Sequence, residues 1–336
     1  MSTQVALAAP GSTARPVRPG LVAWLLVVAG GVGALVCTVL GVGPRWLDGT
    51  GATAIAAAYG WALAVRTGGR PVVFGGLSLA LAALAVAADL PALRAGAAVT
   101  MSAAGAVLAV MATVPARRFL VSAREVLVAL AVVGVAGFAA VGFRPVVSPV
   151  RYEYAALGVA LVGAFVLVFR LGAGWHGLGR RGLVAVVSGG VVLAALLAYA
   201  EVLRRYGPTG VVDPLLAVVE WSRETLGAVP QPLPALLGVP ALAWGAHMRA
   251  RRRQGWWVCA LGVAATAPVA SLLVRPALPV LEQALSVGYS VLIGLVVGFV
   301  LIRVDLAVSG SRDRAARAAE AAAAVRPEPR RTHPLL

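Results

Sequence analysis

Residues 280–303 read VLEQALSVGYSVLIGLVVGFVLIR, and no charged side chain stands between Glu282 and Arg303. At about 1.5 Å per residue, some 20 residues of helix cross the roughly 30 Å hydrocarbon layer of a bilayer. The stretch is apolar all round, so it has no face to offer water. Working outward, the same pattern recurs near 255–274, 233–248, 182–203 and 152–170, and before them near 125–143, 95–114, 71–88, 52–66 and 21–42, punctuated by Arg, Gly and Pro. The expected fold is all-α, a polytopic transmembrane helix bundle of about ten spans. The runs at 52–66 and 233–248 are short for a crossing, which leaves tilt, partial re-entry or extension into the flanking loops for those two.

Composition leads to the same class. The 336 residues are 60% hydrophobic and 12% charged, whereas a soluble domain carries about 25% charged residues. A net charge of +16 would suit a nucleic-acid partner, but here the charges lie between the apolar runs, so no nucleic acid is expected. All 29 basic residues are arginine, and with abundant Ala, Val and Gly this looks like the codon bias of a GC-rich bacterial genome.

If successive connections alternate sides, most of the arginines share one side. Arg15, Arg18, Arg66, Arg70, Arg117, Arg118, Arg124, Arg249 and Arg303 fall there with the rest of the tail, while Arg45, Arg94, Arg144 and Arg151 fall on the other. Cytoplasmic loops carry the positive excess, so both termini are expected in the cytoplasm, with the bundle in a bacterial cytoplasmic membrane. The organisation is an N-terminal tail 1–20, a bundle 21–304 and a basic tail 305–336 with a helical reading over Ser311–Val325. Arginines beside an inner leaflet attract anionic lipid at about 1 kcal/mol each. Lipid is thus the first expected partner of loops and tail, and a homodimer or another membrane protein the second. Trp24, Trp256 and Trp257 are expected at the inner interface, and Tyr152, Tyr154, Tyr199 and Tyr206 at the outer one.

The longest connection, Arg204–Pro232, holds an expected amphipathic helix near 213–229, with Asp213 as N-cap and Pro214 in the first position. Leu215, Val218, Val219, Ser222 and Leu226 share its apolar face, which would lie along the outer interface as a lid or gate.

Little in the chain announces chemistry. His176, His247 and His333 lack zinc-ligand spacing, so no metal is expected. Without lysine no phosphate-binding P-loop exists, and no catalytic residue or cofactor is assigned. Cys37 and Cys259 would sit at depths differing by about 15 Å, too far for a disulfide. An ionisable residue inside a membrane is a functional hypothesis by default. None lies mid-span, and Glu125, Glu201 and Glu282 are placed near ends, where each can reach the interface. Glu201, Arg205, Arg275, Glu282, Gln283 and Tyr289 form a candidate outer polar pocket. Ser286, Ser290, Gly294 and Gly298, at four-residue spacing, form a stripe for close helix packing.

Three functions fit these features: a permease- or flippase-like transporter of a small neutral or amphipathic solute, a non-catalytic scaffold or accessory subunit in envelope biogenesis or secretion, and a membrane enzyme acting on lipid-linked substrates through Asp48 or Asp89. The ten-span layout, with Pro115, Glu125 and Gly134 after the fourth run, resembles the drug/metabolite transporter superfamily. That resemblance implies two inverted five-span halves and a carrier function. The second half departs from the pattern at Pro268 and Glu282, and its Arg204–Pro232 connection is longer than that family needs.

Overall fold

The computed structural model describes residues 19–44, 46–207, 209–250, 255–274 and 279–308, together with 329 and 331–335 of the tail. Among these residues the chain is helical and holds no strand. The helices are α1 (Pro19–Val39), α2 (Trp46–Arg66), α3 (Pro71–Ala87), α4 (Pro91–Met111), α5 (Phe119–Gly142), α6 (Pro149–Val168), α7 (Gly174–Tyr206), α8 (Thr209–Leu226), α9 (Val239–Arg249), α10 (Gly255–Ala260), α11 (Val263–Leu272) and α12 (Val280–Val308). A π-helical turn, Phe169–Ala173, runs α6 into α7, and a second, Pro234–Gly238, leads into α9. Proline opens α3, α4 and α6, where its missing N–H costs nothing. Ser148 completes the start of α6 by accepting the Arg151 N–H at 3.4 Å.

Among the described residues, seven helical stretches are long and apolar enough to cross a membrane. They match the runs at 21–42, 95–114, 125–143, 152–170, 182–203, 255–274 and 280–303. The other three expected runs are helical but differ in kind. α2 extends the 52–66 run back to Trp46, and Asp48, Thr50 and Thr53 dilute its apolarity. It is clasped by α1, α3 and α5, so its surroundings do not require an apolar surface on every side. α3 is apolar but has 17 residues, and the 233–248 run divides into a five-residue π turn and the 11 residues of α9.

The bundle is apolar outside as well as inside. Leu26, Val72, Leu120 and Leu292 are exposed by 67, 82, 80 and 62%, part of a broad apolar exterior. Soluble monomers rarely show contiguous apolar surface on that scale, and the architecture is compatible with a membrane protein. The interior is built from small residues. α11 lies in the centre against α4, α5 and α6, and the stretch Gly255–Leu272 is 100% buried. Backbones approach closely there. A Cβ on Gly238 would stand 2.0 Å from the Ala265 nitrogen, and one on Gly105 would stand 2.1 Å from the Ala136 Cβ. The stripe on α12 faces α9 and the turn before it: a Cβ on Gly294 would meet Val239 at 2.6 Å, and one on Gly298 would meet Ala243 at 3.1 Å.

Several local expectations change. Trp256 and Trp257 are buried among core side chains instead of marking an interface, because the whole segment that carries them is enclosed. Tyr152 is also buried, and its hydroxyl donates to the Ala98 carbonyl at 2.9 Å and meets Ser102 Oγ at 2.7 Å, tying α6 to α4. Tyr154, Tyr199 and Tyr206 are exposed, as interfacial residues would be. Tyr152→Phe leaves the Ala98 carbonyl and the Ser102 hydroxyl short of a partner. It is expected to cost about 1–3 kcal/mol, read as a lower thermal midpoint in detergent with unchanged helix content.

α8 begins at Thr209, four residues before the expected cap, and Pro214 stands inside it, where it has no N–H to offer the Gly210 carbonyl. Its C-terminal end is sewn to the bundle: Ser222 is buried and Tyr289 donates to the Leu226 carbonyl at 2.8 Å, while Leu216, Val218 and Trp221 are exposed. The helical reading of Ser311–Val325 lies outside the described residues.

Candidate functional site

Polar side chains collect at the two ends of the bundle, and a groove opens on its flank. The first collection lies where α2, α4 and α9 end and α5 begins. The last carbonyls of a helix lack intrahelical partners and carry the negative end of its dipole. Here two buried arginines from other helices cap the end of α4. Arg66 Nε donates to the Met111 carbonyl at 2.8 Å. Arg249 Nη2 donates to the Thr113 carbonyl at 3.0 Å and Nη1 to Thr113 Oγ1 at 2.7 Å, with the guanidinium 3.5 Å over the Trp256 ring.

Beside them Glu125 is fully buried, which corrects its expected reach to the interface. One carboxylate oxygen accepts Arg124 at 3.1 Å. The other accepts the Val114 N–H at 3.0 Å and Arg331 Nη2, from the far end of the chain, at 2.7 Å. The tail comes back onto the bundle here: Arg66 Nη1 donates to the His333 carbonyl at 2.8 Å, and the Leu335 N–H donates to the Arg66 carbonyl at 3.0 Å. Arg66, Arg249 and Glu125 look in the sequence like loop or helix-end charges. Apart from Arg124 and Val114 beside Glu125, the partners named here are remote in the chain, and no local spacing signals them.

The opposite end holds Asp48, paired with Arg144 and accepting the Gly49 N–H at 2.7 Å, and Asp89, paired with Arg94 at 2.9 Å. Both acids offered as an enzyme's base are therefore held by arginines.

The residues of the expected outer pocket divide. Glu282 pairs with Arg223 of α8 at 3.1 Å. Gln283 is buried, and Tyr289, Ser286 and Ser290 hold the chain after α8: Ser286 Oγ donates to the Val229 carbonyl at 2.6 Å, and Ser290 Oγ accepts the Gln231 N–H at 2.7 Å. Glu201 lies on α7, in the lining of a groove with α6. Arg275 falls outside the described residues, as does the side chain of Arg205.

Glu201 borders the flank groove, a space of about 510 Å³ between α6 and α7. The two helices are joined by the π turn and share α10 as a neighbour, and toward the other end the space between them is lined by Tyr154, Leu157, Gly158 and Leu161 of α6 and Leu197, Ala198 and Glu201 of α7. The α6 residues recur at i, i+3, i+4 and i+7, one face of a helix. The result is an apolar trough, open along its side, with a carboxylate and a phenol in its wall. No group of three or more His, Cys, Asp or Glu side chains capable of holding a metal occurs among the described residues. Comparison with known proteins leaves this site to be read from its own chemistry, since no protein family, curated protein or solved structure matches the chain.

Proposed function

We propose that the protein is a permease- or flippase-like transporter of an amphipathic solute in a bacterial cytoplasmic membrane, with both termini in the cytoplasm and anionic inner-leaflet lipid against its arginines. The supporting observation is the groove between α6 and α7, which is open along its side and apolar for most of its lining, with Glu201 in its wall. An apolar tail fits such a trough without leaving hydrocarbon, and a carboxylate there favours a cationic or hydrogen-bond-donating head. A charged hydrogen bond of this kind contributes about 1.5–3 kcal/mol, so Glu201→Gln is expected to weaken uptake of a fluorescent alkylammonium by roughly tenfold or more in proteoliposomes. Leu157→Trp, which fills the trough, is expected to abolish it. Unchanged uptake in both variants would remove the groove from the transport path.

A second reading, a non-catalytic accessory subunit, is favoured by the wholly enclosed α10–α11 segment, around which side chains fill the centre of the bundle. It requires a stable complex with other membrane proteins after extraction in mild detergent. A lone monomer or dimer that transports the alkylammonium decides for the first reading.

A further inference from the structure

We infer that the Glu125 end of the bundle is a preformed binding site for an arginine-bearing C-terminal peptide, and that residues 331–335 of this chain occupy it reversibly. The segment makes three polar contacts of different kinds: Arg331 on the Glu125 carboxylate at 2.7 Å, the His333 carbonyl under Arg66 Nη1 at 2.8 Å, and the Leu335 N–H on the Arg66 carbonyl at 3.0 Å. The Leu335 side chain adds an apolar contact with the main core cluster. Together these read a guanidinium, two backbone groups and an apolar residue, which is the chemistry of peptide recognition and not of a diffuse charge on a lipid surface.

Each receiving group is held without the tail. Arg66 stays anchored by the Met111 carbonyl. Glu125 keeps Arg124 and the Val114 N–H. Arg331, 31% exposed in its docked position, returns to water on release. Departure of the segment therefore strands no buried charge, the condition that makes breaking an ion pair expensive. The site is rigid and the occupant detachable.

Labelling of a cysteine placed in the tail tests this in the full-length chain. Cys37→Ala supplies the background, Cys259 being fully buried. Leu335→Cys is expected to react with a maleimide roughly tenfold more slowly than the exposed Thr332→Cys, the factor that corresponds to about 1.4 kcal/mol of docking. Adding Arg331→Ala, or separately Glu125→Gln, is expected to bring the two rates together. A synthetic peptide with the sequence of residues 331–336 is expected to speed labelling at position 335, and the same peptide with alanine in place of its arginine is expected not to. Equal rates in the starting pair overturn the proposal, as does a rate gap that survives both substitutions. A peptide without effect overturns the reversible site even if the gap is present.

Discussion

Gly238→Val is expected to eliminate folded protein. A first side-chain carbon at position 238 would stand 2.0 Å from the Ala265 nitrogen and 2.5 Å from the Ala264 carbonyl carbon. These are backbone atoms of α11, and no rotamer change can move them aside. Overpacking a core against adjustable side chains typically costs about 1–3 kcal/mol, and against an immovable helix the cost is expected to exceed that range. It would consume much of the roughly 5–15 kcal/mol by which a domain is stable. Yield and elution of the detergent-solubilised protein in size exclusion measure the effect. Gly30→Val is the control: nothing lies within 4 Å of a Cβ there, and the variant should behave like the parent. A normal elution profile for Gly238→Val would mean that the Pro234–Gly238 turn and α11 are not in this contact.

The second large effect is non-additive. Arg124→Gln and Arg331→Gln are each expected to cost about 1 kcal/mol or less, since both side chains are partly exposed and Glu125 keeps the other guanidinium. Together they leave a fully buried carboxylate with the Val114 N–H as its remaining described donor. Stranding a buried charge costs about 3–5 kcal/mol, so the double variant is expected to lose clearly more than the sum of the singles. Adding Glu125→Gln removes the stranded charge and should restore most of the loss. Thermal unfolding of the parent and the four variants in one detergent measures the cycle, and simple additivity of the two arginine substitutions would show that Glu125 is solvated in the folded protein.

Much of the helical layout could be read from local patterns, because an apolar run and the proline that opens it are neighbours in the chain. Pro71, Pro91 and Pro149 stand at the starts of α3, α4 and α6, and the 280–303 run is α12. Local reading failed where tertiary position overrides composition. Trp256 and Trp257 have the sequence look of interfacial anchors, yet the segment that bears them is enclosed. The 52–66 run looks marginal on its own terms and forms a 21-residue helix shielded by its neighbours. Of the polar clusters the sequence discloses least. Glu125 and Arg331 are 206 positions apart, and Arg249 and Thr113 are 136 apart, so nothing in either neighbourhood marks the pair. For the outer group the expected proximity of Glu282, Gln283 and Tyr289 is trivial, since all lie on α12. What could not be foreseen is that they fasten α8 and the chain after it, while Glu201 borders the flank groove.

The enclosure of Gly255–Leu272 bears on the order in which the protein is made. The elements most closely packed on it are α4, α5, α6, α7, α9 and the turn before α9, and all of these precede it in the chain. When this segment emerges from the ribosome these elements have already been synthesised, so it can dock against them as soon as it appears. α12 comes last and closes over α9 and the Pro234–Gly238 turn from the outside. Assembly in chain order would run from socket to plug to closing strut, and a ribosome stalled before residue 255 is expected to expose a vacant cleft where the protein's centre belongs.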